Sequence, residues 1–186
     1  MYVKNNKHRA VFLDRDGVLN RAVVSNGKPY PPESVAEVEI LPGVSESLGL
    51  LKERGFVLIV VSNQPDVARG KISMESVEEI NTYLEERLPV DRFIMCYHDK
   101  SDECDCRKPL AGMLFTGGHE FDVDLERSFM IGDRWRDIEA GIAAGCRTIF
   151  IDYGYNEISP RVYNFRVLST HEAISTILNE EAYEKD

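Results

Sequence analysis

The sequence predicts an α/β fold: a Rossmann-like, three-layer arrangement around a central, mainly parallel sheet. Three observations carry this. Short apolar runs recur along the chain, at Ala10-Val11-Phe12-Leu13, Phe56-Val57-Leu58-Ile59-Val60-Val61, Phe129-Met130-Ile131 and Thr148-Ile149-Phe150-Ile151. They are continuous rather than alternating, as parallel strands covered on both faces should be. Between them lie segments with apolar residues at helical spacing, so strand and helix alternate and the crossovers should be right-handed.

Taken in order, residues 10–13 form the first strand, and a long loop at 21–32 follows it. Val44, Leu48 and Leu51 mark a helix over 44–54, with Gly55 as its stop. The second strand is 56–61. Ser73 caps a helix that carries Val77, Ile80 and Leu84. Residues 92–95 are a short third strand. Pro109 is placed to open a helix, since proline suits a first helical position. The fourth strand, 129–131, leads to a helix marked by Trp135, Ile138 and Ile142, and 148–151 is the fifth. A strand at 165–168 and a helix over 171–178 close the fold, and the polar tail 179–186 should fray.

Composition bounds the rest. With 186 residues and 43% hydrophobic content, the chain reads as one soluble domain spanning 1–186. The inserts are too short for a large cap domain. No run reaches the roughly 20 apolar residues of a membrane span. The basic N-terminus lacks the apolar stretch of a signal peptide, so the default location is cytoplasmic. A formal net charge of -10 argues against a broad nucleic-acid or anionic-membrane surface, but not against a small anionic substrate. A monomer is the default expectation.

Four strand-end motifs point to phosphate chemistry. Asp14-Arg15-Asp16-Gly17 follows the first strand and puts two carboxylates on one side of an extended segment. There, one can attack an electrophile while the other handles a proton. Ser62-Asn63 ends the second strand with a hydroxyl suited to a phosphoryl oxygen. Lys108 supplies an ammonium that can neutralise phosphate and carboxylate charge. Asp133 follows the fourth strand, with Asp137 one helical turn later, and its hard oxygen donors suit Mg2+. Taken singly these are ordinary: a polar turn, a cap, a basic pair. Their common position and order make them a set.

A second constellation is Cys96-Tyr97-His98 followed by Cys104-Asp105-Cys106. Three thiols and an imidazole make a closed, tetrahedral, structural zinc set within a loop at 96–106 that has no core of its own. Disulfides are the alternative, disfavoured because nothing marks secretion. Cys146 lies apart and reads as a small buried thiol.

Together these residues resemble the haloacid dehalogenase superfamily of phosphatases, over roughly residues 9–152. The resemblance implies an aspartyl-phosphate mechanism. Asp14 is then the nucleophile and Asp16 the general acid and base. Ser62 and Lys108 bind the transferring phosphoryl group. Mg2+ is held by the Asp14 side chain, the Asp16 carbonyl and the Asp133 side chain, with Asp137 behind them. The zinc loop running into Cys106-Arg107-Lys108-Pro109 is similar to that of the heptose 1,7-bisphosphate 7-phosphatases and, more distantly, the histidinol-phosphate phosphatases. That likeness implies a small phosphorylated sugar as substrate and gives Asn63, Arg107 and Arg134 contact with it. Arginine forks suit phosphate. Four features depart from the family pattern: a shorter zinc loop, Lys108-Pro109-Leu110-Ala111-Gly112-Met113, Pro65-Asp66 within Asn63-Gln64-Pro65-Asp66-Val67, and the longer 21–32 loop, which should border the leaving group. The chemistry therefore carries over more firmly than the sugar. Histidinol phosphate is the nearest alternative substrate. A non-catalytic, zinc-stabilised binding module is the alternative of a different class.

Overall fold

The computed structural model describes residues 7–183, with side chains as far as residue 180. Six parallel strands form the central sheet. They are β1 (Arg9–Leu13), β4 (Phe56–Asn63), β5 (Arg92–Cys96), β6 (Phe129–Gly132), β7 (Arg147–Ile151) and β8 (Phe165–Val167). Their spatial order is β5-β4-β1-β6-β7-β8, and every neighbouring pair is parallel. The first strand thus lies inside the sheet, between β4 and β6.

Strand alternation explains the three layers. Val11, Leu13, Leu58, Val60, Phe129, Ile131, Ile149 and Ile151 join one buried cluster. That cluster also takes in the apolar faces of α1 (Val44–Glu53), α2 (Met74–Glu85) and α5 (Thr170–Tyr183). The intervening Ala10, Phe12, Ile59, Val61 and Met130 belong to a second cluster, with Met113 and Leu114 of α3 (Gly112–Glu120) and Ala140 and Ala144 of α4 (Trp135–Ala144). Because successive side chains point to opposite faces, a run with no polar residue must be covered on both. Each fully buried Leu, Ile or Phe contributes about 1.5–3 kcal/mol over leaving it exposed.

Most expected elements appear within a residue or two. Ser73 caps α2, its Oγ accepting from the Ser76 N–H at 3.1 Å. Three expectations are corrected. Pro109 does not open a helix. It sits in a turn closed by the Leu110 N–H to the Arg107 carbonyl, and α3 begins at Gly112. The loop after β1 contains an antiparallel hairpin, β2 (Val23–Ser25) and β3 (Lys28–Tyr30). The C-terminal helix does not fray at 179 but runs to Tyr183, while residues 184–186 lie outside the described residues. Among the described residues no helix is long and apolar enough to cross a membrane. The hairpin after β1, the 96–106 loop and the helix-free link from β7 to β8 depart from strict strand-helix alternation.

Candidate active site and metal-binding loop

The site forms where β1, β4 and β6 end, as expected for an open parallel sheet, whose strands deliver their loops to one edge. Asp14 leaves β1 with its N–H bonded to the Ile131 carbonyl at 3.0 Å, so β6 fixes the height of the carboxylate. Gly17 has φ +92, and a Cβ there would stand 2.0 Å from Asp133 Oδ2. Only glycine lets the turn after β1 press against the Asp133 carboxylate.

Lys108 joins the motifs. It is 2% exposed, and its Nζ lies 2.9 Å from Asp14 Oδ1, 2.6 Å from Asp137 Oδ1 and 2.7 Å from the Val61 carbonyl. Its backbone is held as well: Asn63 accepts from the Lys108 N–H at 3.0 Å and donates to the Lys108 carbonyl at 2.9 Å. Burial favours the neutral amine, but Asp137 and Asp14 outweigh it, so the ammonium is held above its ordinary value. Asp137 also accepts from the Arg134 N–H at 3.0 Å, which caps α4 and fixes the distance from Asp133 to the helix.

The carboxylates are less well served. Asp14, Asp133 and Asp137 each offer an oxygen within 4.8 Å of the others, and all three are buried. Neither oxygen of Asp133 has a hydrogen-bond partner. The Tyr155 hydroxyl faces it without reaching hydrogen-bond geometry. Burial, then the Asp14 and Asp137 charges, push the Asp133 carboxyl well above the carboxylate range. Burial likewise lifts Asp14 to about 6 despite Lys108. A buried carboxylate without donors is costly unless a cation meets it. This all-oxygen donor set fits a hard divalent ion such as Mg2+.

Asp16 is handled differently. Arg15, fully buried, forks its carboxylate from Nε at 3.1 Å and NH2 at 3.0 Å, and is itself tied to Asn81 Oδ1 at 3.0 Å. Asn20 and Gln64 donate to the same carboxylate at 3.0 and 2.9 Å, and Gln64 also donates to Ser62 Oγ at 3.0 Å. Sequence reasoning missed Arg15, Asn20 and Gln64 as the frame of Asp16. Arg15 looked like a spacer between two aspartates, and nothing local shows that it points inward.

An open cleft leads to these groups. Its walls include Asp14, Asp16, Ser62, Asn63, Lys108 and Asp137 together with Arg107, Arg134 and Arg136, while Asp133 meets Asp14 and Asp137 outside the lining. Pro29, Tyr30 and Pro31 of the hairpin complete the rim. The expected site residues thus come together, and the 21–32 segment borders the cleft. Arg136 is an addition that the motifs did not single out.

At the end of β5, Cys96, His98, Cys104 and Cys106 converge with ligand atoms within 4.8 Å of one another. The sulfurs of Cys96 and Cys104 are 3.8 Å apart and those of Cys96 and Cys106 3.2 Å, while His98 Nδ1 lies 3.7 Å from Cys96 and 3.2 Å from Cys106. Tetrahedral sulfur ligands at about 2.3 Å from zinc stand roughly 3.8 Å apart, so the cage is near the size zinc requires. None of the four cysteines is in a disulfide, and Cys146 lies outside the cluster. The Arg107 NH1 donates to the His98 carbonyl at 2.9 Å, which ties this loop to the cleft wall.

Comparison with known proteins agrees with this geometry. A HAD-hydrolase-like family model matches residues 105–162. The chain is 33% identical over 151 residues to the D-glycero-beta-D-manno-heptose-1,7-bisphosphate 7-phosphatase of Yersinia pestis, covering 75% of this chain and 77% of that protein. It is 32% identical over 167 residues to the enzyme of the same name from Escherichia coli K12, covering 83% and 84%. The fold is similar to the D,D-heptose 1,7-bisphosphate phosphatase of B. bronchiseptica, crystallised with magnesium and phosphate. The TM-score is 0.75 at 27% identity, over 92% of this chain and 99% of that one.

Proposed function

Because the chain belongs to the haloacid dehalogenase superfamily and is a phosphatase of that family, we propose that it removes the 7-phosphate of a heptose 1,7-bisphosphate, with Mg2+ as cofactor. The observation that carries the chemistry is the buried Asp14–Lys108–Asp137 bridge beside the partnerless Asp133, and the likeness to the heptose 1,7-bisphosphate 7-phosphatases supports the sugar. A binding module would not need an ammonium locked against a nucleophile-ready carboxylate at such desolvation cost.

In this reading Asp14 attacks phosphorus in line with the sugar oxygen, and the P–O bond to the sugar breaks as the aspartyl-phosphate forms. Asp16, held by Arg15, Asn20 and Gln64, gives its proton to the leaving oxygen. It then takes a proton from the water that displaces phosphate and restores Asp14. Lys108 and Ser62 hold the phosphoryl oxygens and spread the growing charge. Asp14 and Asp133 would hold Mg2+, whose positive charge would let a carboxylate approach a phosphate dianion. Asn63, which fixes the Lys108 backbone, and the Arg107 and Arg134 guanidiniums contact the rest of the substrate. Cys96, His98, Cys104 and Cys106 would hold a structural Zn2+, which would order the loop whose His98 carbonyl accepts from Arg107.

The test is phosphate release in Mg2+ from both anomers of heptose 1,7-bisphosphate, histidinol phosphate and a 3′-phosphorylated oligonucleotide, with Asp14→Asn as blank. Preference for one heptose anomer supports the proposal. Preference for histidinol phosphate keeps the chemistry and replaces the sugar. Undiminished turnover by Asp14→Asn overturns the nucleophile.

A further inference from the structure

We infer that Arg136 recognises the second anionic group of the substrate and so sets the preference for doubly phosphorylated sugars; the inference rests on the sugar-phosphatase reading above. The three guanidiniums lining the cleft are engaged to different degrees. Arg134 is forked onto Glu157, its Nε 2.9 Å from Oε2 and its NH2 on Oε1. Arg107 donates to the His98 carbonyl and stands 4.0 Å from Asp99, a carboxylate that Arg69 already forks at 2.6 and 2.8 Å. Arg136 has no ion pair among the described residues. Its guanidinium only rests over the Trp135 ring, 4.6 Å from the centroid. The acids that sense its charge, Glu157 and Asp137, are engaged by Arg134 and Lys108.

The position is a poor one for a cation that serves stability alone. Arg136 lies in the first turn of α4, where the exposed N–H groups already carry positive potential. It is half-buried and feels the like charges of Arg134 and Arg107. Burial first and those arginines second hold its pKa below the ordinary value. An anion entering the cleft would relieve all of these costs at once. The planar fork, propped on an indole face, is already ordered for a phosphate and loses little freedom on binding. A phosphoryl group on Asp14 would be served by Lys108, whose Nζ is 2.9 Å from the Asp14 carboxylate, whereas Arg136 lines the same cleft with no carboxylate of its own and can take the ligand's other anionic group.

The experiment is to measure kcat and KM of the wild type, Arg136→Gln and Arg136→Lys on heptose 1,7-bisphosphate and on heptose 7-phosphate in Mg2+. For Arg136→Gln, the ratio of kcat/KM on the bisphosphate to that on the monophosphate should fall about ten- to a hundredfold, the worth of a charge-assisted hydrogen bond. The loss should lie in KM. Arg136→Lys, which keeps the charge but not the fork, should recover part of it. An unchanged ratio, with both substrates hit equally or neither affected, overturns the assignment and leaves Arg136 as a cation stacked on Trp135. A wild type that does not turn over the bisphosphate overturns the sugar-phosphatase reading, and this assignment with it.

Discussion

Lys108 is the residue on which the site turns, and its neighbours show how single positions are dictated by chemistry. An ammonium that is 2% exposed persists because two carboxylates and a carbonyl surround it. Removing any partner would leave a buried charge uncompensated. Gly17 is fixed by space rather than charge, since its backbone is positive-φ and a Cβ would collide with Asp133. Gly17→Ala is therefore expected to cost about 1–3 kcal/mol in stability. By displacing a carboxylate meant for Mg2+, it should also lower kcat/KM about a hundredfold. Denaturant unfolding and steady-state kinetics at varied Mg2+ check both. Activity at the wild-type level would show that Asp133 does not need its present position.

The 96–106 loop and the hairpin are the two elements without a core of their own. The loop is polar between its ligands, Asp99 to Glu103 being exposed or half-buried, so a metal is what can order it. Cys104→Ser should reduce bound zinc from about one ion per chain to near none. The midpoint of thermal unfolding should fall by several degrees, and KM should rise through Arg107, which the loop holds. Unchanged zinc by elemental analysis would reject this ligand set. The hairpin is built differently. Asn26 and Gly27 have φ of 53 and 75, the two positive values of a type I′ turn. The Gly27 carbonyl accepts from the Asn156 N–H at 2.7 Å, anchoring the tip to the segment that carries Glu157. Deleting residues 24–29 should change the ranking of substrates while Mg2+ affinity stays within about twofold, less than 0.5 kcal/mol. An equal loss on every substrate would reject the hairpin as a selector.

At the scale of the molecule, the six-stranded sheet runs beneath everything. Both apolar clusters draw on the same strands, so neither face can melt without exposing the other. We therefore expect one domain and one cooperative transition for the metal-replete protein. Fluorescence of Trp135, the one tryptophan, should coincide with far-UV circular dichroism during denaturation. Two separated transitions would reveal a part that folds by itself. Within this frame the site takes residues from distant parts of the chain: Asp14, Ser62, Lys108 and Asp133 meet because parallel crossovers return every strand end to one edge.

The sequence by itself determined the strands, the layers and the chemistry of the site. Continuous apolar runs can only be buried on both faces, and the four polar motifs follow those runs or their crossovers. It also disclosed the Cys96, His98, Cys104 and Cys106 set, because metal ligands are recognisable by type and spacing. The hairpin went unread within the 21–32 loop, because its short exposed strands carry no hydrophobic period to flank the Asn26-Gly27 turn. Pro109 looked like a helix opener because proline fits a first helical turn. The bonds that Asn63 makes to the Lys108 backbone, far away in sequence, hold the segment in a turn instead. Only the tertiary structure decided that Arg15 faces inward to frame Asp16 and that Glu157 occupies Arg134. It alone left Arg136 on the cleft wall without an ion pair among the described residues. Those are choices among partners from distant segments, and charge pairing, unlike hydrophobic periodicity, leaves no local pattern in a sequence.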